Sequence, residues 1–209
     1  MSNVVTGQFG GRALLAGGAL WVIATLLHGA VPDMAAMAGV NGIMWGIVHW
    51  AYLLGDLLLI AGFLLFFRHL ETRGAEGWGA LAVAAGILAY TLDAASTGIH
   101  LWAFPAAAAA ADQTAYSALV GVQGSIGTPA AYFFPIAVAL LGAALLRAGG
   151  WRLLAYVGIG VGIVELGLMA TGAYPANIVG NLVYALVPLW VAVLGFKVAG
   201  TAPAERGTP

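Results

Sequence analysis

Two pairs of residues, His49 with Asp56 and Asp93 with His100, repeat one spacing in opposite order inside hydrophobic runs of the sequence. Imidazole and carboxylate side chains relay protons, act as general acids and bases, and bind transition metals. In hydrocarbon such groups are costly unless they face a protein interior or a partner, so an ionisable residue at membrane depth marks a functional candidate. Glu165 in a later apolar run and His28 near the end of the first extend the set. His69, the remaining histidine, lies among charged residues and reads as a solvated side chain.

Seven steps along an α-helix turn through about 700°, roughly 20° short of two turns, and rise about 10.5 Å. His49 and Asp56 therefore share one helix face, and so do Asp93 and His100. If the two helices run in opposite directions, the acids fall at matching depths and the histidines lie about 10 Å nearer the other membrane surface. The expected arrangement is a layer of three histidines, His28, His49 and His100, above a layer of three carboxylates, Asp56, Asp93 and Glu165. No Lys or Arg lies at that depth to neutralise the acids. Carboxylates packed together in low dielectric cannot all ionise, so the group titrates as a coupled set with at least one proton shared or retained.

Three chemistries fit these residue types. Three imidazoles supply the ligands of a transition-metal site, with zinc, copper or iron as candidates, and the acids beneath would orient the rings or relay protons. His49 and His100 are alternatively the axial pair of a b-type haem. Either would make the chain a membrane enzyme or redox component. A second class is a proton-coupled small-solute transporter or channel that works through Asp56, Asp93 and Glu165. The third is a structural or accessory subunit in which neutral acids donate interhelical hydrogen bonds, with Thr91, Ser96, Thr97 and Asn181 as further polar glue.

The elements that must carry these residues follow from composition. Of 209 residues 62% are hydrophobic and 7% charged, and the mean hydropathy is +0.98, far from a soluble domain. About 20 apolar residues span a bilayer. Six such stretches occur, at about 13–31, 43–68, 77–104, 127–147, 151–172 and 177–198, giving an all-α integral membrane protein built as a single six-helix bundle. Residues 199–209 read as a flexible cytoplasmic tail. The segment 105–126 opens at Pro105 with an alanine run and predicts a short outer-side helix, or a re-entrant piece, between spans three and four. It continues through the polar run from Gln123 to Thr128, which is suited to covering the outer end of the bundle.

Arg12, Arg68, Arg73, Arg147, Arg152, Lys197 and Arg206 all fall on one side of this arrangement, whereas Asp33 and Asp112 lie in the opposite connections. The positive-inside rule then predicts both termini in the cytoplasm and a plasma (inner) membrane protein that crosses six times. Trp78 and Trp151 are expected at the inner surface, and Trp45, Trp50, Trp102, Phe104 and Tyr132 at the outer one. Gly17 with Gly18, and Gly158, Gly160 and Gly162, are expected to provide small-residue faces for close helix contact. Cysteine is absent, which removes thiolate metal sites and disulfides from consideration. The few cations form no basic patch, so nucleic acid is not an expected partner; the lipid bilayer is one, together with a small or lipophilic substrate.

Overall fold

Long apolar runs broken by Gly and charge produce helices, because backbone groups in a bilayer must be satisfied within their own segment. The computed structural model describes residues 3–29, 32–172 and 178–200. In chain order these form α1 (Asn3–Leu27), α2 (Met34–Met37), α3 (Val40–Glu71), α4 (Glu76–Gly98), a π turn (Ile99–Ala103), α5 (Phe104–Ala109), α6 (Gln113–Arg147), α7 (Arg152–Ala170), α8 (Ile178–Tyr184) and α9 (Leu186–Ala199). No strand occurs among the described residues. Among the described residues six helices, α8 and α9 counted as one span, are long and apolar enough to cross a membrane. Of the expected tail at 199–209, Ala199 ends α9 and Gly200 caps it, while 201–209 lie outside the described residues.

The spans pack in sequence order around the bundle: α1 on α3, α3 on α4, α4 on α6, α6 on α7. Contact of α9 with α1 brings the last span back to the first. Glycine sets how closely α1 is held. A Cβ on Gly17 would lie 2.9 Å from the Gly55 carbonyl oxygen of α3, and one on Gly18 would lie 2.7 Å from the Pro188 carbonyl oxygen of α9. Gly10 and Gly11, seven residues earlier, meet α3 and α9 in the same way. Two glycine doublets thus let one helix touch backbone on both sides, which replaces the hydrophobic drive that lipid cannot supply.

The core is aromatic. Trp21 sits at its centre, edge-on to Tyr52 and to Phe134 at 4.7 Å in each case, and Tyr90 packs on Phe134 at 4.9 Å. A second, smaller cluster of Met37, Trp45, Phe104 and Tyr116 closes the end where α2 and α5 lie. The Tyr116 hydroxyl donates to the Pro32 carbonyl at 2.6 Å and ties this end together. Asp33 and Asp112, the acids of these connections, cap α2 and α6 by accepting from Ala36 N at 2.7 Å and Ala115 N at 2.9 Å.

Several sequence expectations change. The segment 105–126 does not form a separate helix between two spans. Its first part, α5, continues span three through the π turn, and its remainder from Gln113 onward is the start of α6. The π turn explains the first half: Phe104 N–H donates to Ile99 O, and the widened turn lets the helix run on through Pro105. The second half persists through Pro129 because a membrane helix tolerates a lost donor when neighbours compensate. Span one begins earlier than expected and ends at Leu27. Span six breaks at Ala185 into α8 and α9, three residues before Pro188. Trp45 and Phe104 are buried rather than interfacial, whereas Trp50 and Trp102 are exposed and edge-on at 5.9 Å.

Candidate functional site

The α3 and α4 faces that carry the paired residues turn toward each other. Asp56 is fully buried, and its Oδ1 accepts the Trp21 indole N–H at 2.8 Å. Its Oδ2 is buried without a hydrogen-bond partner among the described residues, and the Asp93 carboxyl on α4 lies near enough for the two acids to interact electrostatically. Asp93 accepts a long bond, 3.5 Å, from the Thr97 hydroxyl one turn on. Two acids on neighbouring helices thus share a floor, one anchored by an indole from α1 and the other open to a cavity.

That cavity has a volume of about 370 Å³ and lies above the acids, walled by α1, α3, α4, α6 and α8. His28, His49, His100 and Asp93 line it, opposite Gln123 and Thr128. Hydrogen bonds brace the wall. Tyr52 donates to Thr25 at 3.1 Å, Gln123 donates to Ser96 at 3.2 Å, and the Asn181 amide donates to the His28 carbonyl at 2.9 Å. The last bond fastens α8 to the end of α1. His28 also borders a second cavity of about 300 Å³ beneath α2, whose other walls include Leu27, Pro32, Met44 and Trp45.

The three imidazoles gather at this end, with ring centroids 4.2 Å apart for His49 and His100 and 5.3 Å for His28 and His49. His49 Nδ1 lies 2.8 Å from the Trp45 carbonyl oxygen. A carbonyl only accepts, so Nδ1 carries the proton and Nε2 of a neutral ring keeps its lone pair. His100 Nδ1 is buried without a partner among the described residues. The Trp45 ring packs against all three, at 5.0 Å from His28, 4.2 Å from His49 and 5.1 Å from His100.

Aromatic packing on this scale decides how well the rings fit a cofactor. Among the described residues no group of three or more His, Asp or Glu side chains is arranged to hold a metal ion. Trp45 fills space toward which nitrogens would have to converge. Nor do His49 and His100 suit a shared b-type haem, because rings 4.2 Å apart and tilted by 33° leave no room for a porphyrin between them. The residues fit neither group as they stand.

Glu165 lies apart. It is buried in α7 and does not line the cavity. The Val187 backbone approaches it, yet neither Oε atom makes a well-formed hydrogen bond among the described residues. Thr91 faces outward, while Ser96, Thr97 and Asn181 do line the cavity. Trp21, Tyr52 and Trp45 were missed by sequence reasoning. Trp21 carried a usable signal: an indole in the middle of a span, far from either interface, needs an acceptor for its N–H.

No family model, curated protein or solved structure matches this chain. The chemistry of the site therefore rests on its own geometry.

Proposed function

We propose that this chain is a proton-coupled small-solute transporter or channel of a bacterial-type plasma membrane, with both termini cytoplasmic and the cavity opening toward the outer surface. One observation carries the reading: the Asp56–Asp93 carboxyl pair at the floor of a cavity walled by hydroxyl, amide and imidazole groups. Two facing acids hold one proton readily and two charges poorly, so occupancy of the cavity and protonation of the pair are linked. Trp21 fixes Asp56, leaving Asp93 as the member that meets the solute. The His49 lone pair offers an acceptor along the way. Orientation rests on the distribution of Lys and Arg.

The test is proton movement in proteoliposomes containing an internal pH dye, scanned with small polar solutes. Solute-dependent acidification that disappears in both Asp56→Asn and Asp93→Asn, with the variants still folded, supports the reading. Identical fluxes in wild type and both variants reject it.

A second reading, a transition-metal (zinc, copper or iron) membrane enzyme, draws on the bare His49 Nε2 and the unpartnered His100 Nδ1. It requires Trp45 to withdraw so that nitrogens converge. Stoichiometric metal in the purified protein, lost in His49→Ala and His100→Ala, would favour it. Absence of both flux and metal leaves an accessory subunit with buried polar glue.

A further inference from the structure

All the described Lys and Arg side chains except Arg12 lie at or near the helix ends and turns on the side away from His28, His49 and His100. At that end a groove of about 470 Å³ runs along α7 beside the end of α9. Trp151, Leu153, Leu154 and Val157 line it, and Arg152 and Lys197 flank it. Leu153 is 79% exposed and Phe196, next to Lys197, 64% exposed, so the groove opens on the lipid-facing surface. The described residues contain one ion pair, Arg68 with Glu71, so the two cations beside the groove have no acidic partner there.

The backbone at this point is unusual. Trp151 adopts a left-handed conformation, φ 45°, which a bulky residue rarely holds without support. Support comes from an aromatic stack: Phe66 lies on His69 at 5.5 Å, and His69 lies parallel to Trp151 at 6.4 Å and 11°. The stack joins α3 to the start of α7 and presents the indole as a wall of the groove, next to Arg152.

We infer that this groove is a binding site for one anionic phospholipid, its acyl chain lying on Leu153, Leu154 and Val157 and its phosphate headgroup held between Arg152 and Lys197. Charge complementarity selects the occupant. A groove of this depth between membrane helices is filled by lipid, and two unpaired cations at its polar end favour a headgroup with net negative charge over a zwitterionic one. Arg and the indole can share the phosphate, the first by paired N–H groups and the second through its ring N–H. The site lies away from the polar cavity, so it stands whether or not the transport reading does.

The experiment uses the full-length chain in mixed micelles of phosphatidylglycerol and phosphatidylcholine in equal amounts, with retained lipid read by native mass spectrometry. Wild type is expected to keep phosphatidylglycerol over phosphatidylcholine by about tenfold or more, as two interfacial cations predict. The Arg152→Gln/Lys197→Gln double variant is expected to lose that preference, while Arg147→Gln, outside the groove, keeps it. Equal retention of the two lipids by wild type overturns the proposal without reference to any variant. So does a folded double variant with an undiminished preference. Displacement of the lipid by glycerol phosphate alone, without an acyl chain, would assign the cations to a headgroup site and remove the groove from the proposal.

Discussion

Asp56 and Glu165 are both 0% exposed in membrane-spanning helices, yet their surroundings have little in common. Asp56 has an indole donor, a second carboxyl facing it and a cavity beyond that carboxyl. Glu165 has the backbone of Val187 near the break in span six and does not line the polar cavity. The contrast shows that burial of an acid is not enough to make a site. A second titratable group and a polar cavity beside it are what the Asp56 surroundings add, and the transport reading rests on that difference.

The largest expected effect breaks the comparison directly. Asp93→Asn should reduce solute-dependent proton flux at least about tenfold, a change of about 1.4 kcal/mol or more in the barrier, whereas Glu165→Gln should leave flux within about twofold. Equal losses in the two variants would put both acids in one pathway. Next comes packing of the helix that carries Trp21. Gly18→Leu forces a side chain into the Pro188 backbone and should cost about 1–3 kcal/mol, read as a lower unfolding midpoint in detergent. Gly160→Ala, with nothing within 4 Å of its added Cβ, should leave the midpoint unchanged.

Trp21→Phe keeps the ring packing and removes the donor to Asp56. A destabilisation of about 1 kcal/mol is expected, the scale of a lost hydrogen bond inside a membrane protein. Equilibrium unfolding in mixed micelles measures it, and an unchanged stability would mean that Asp56 finds another donor. The smallest effect belongs to Glu165→Met. With no well-formed hydrogen bond to lose and an unpartnered buried polar group removed, the variant should be no less stable than wild type. A large loss there would reveal a partner for Glu165 and close the gap between the two acids.

Much of this architecture was legible in composition, since runs of about 20 apolar residues have few alternatives in a bilayer. The facing of α3 toward α4 was legible too, because a seven-residue spacing keeps two side chains on one helical stripe. Thr91, expected as polar glue with Ser96, Thr97 and Asn181, lies two positions from Asp93 and so points about 200° away, to the exposed side. What stayed hidden was lateral. Depth along a helix can be counted, but Glu165 could be separated from the aspartates only by knowing that α7 packs on α6 and α9. Nor does spacing reveal that Trp45 fills the space among the three histidines. The role of 105–126 was misjudged because a proline after an apolar run signals a new start, and a π turn is not encoded by any comparably local pattern.

That π turn has a mechanical consequence. It is one surplus residue wound into an otherwise regular rod, and it divides the third span into two sections whose angular settings are independent. If the same residues were wound as a regular α-helix without that turn, the surplus residue would advance everything beyond it by about 100°. Phe104, Ala107 and Ala108 would then leave the small apolar cap they share with Met37 and Trp45. The lower section, with Asp93, would keep its heading.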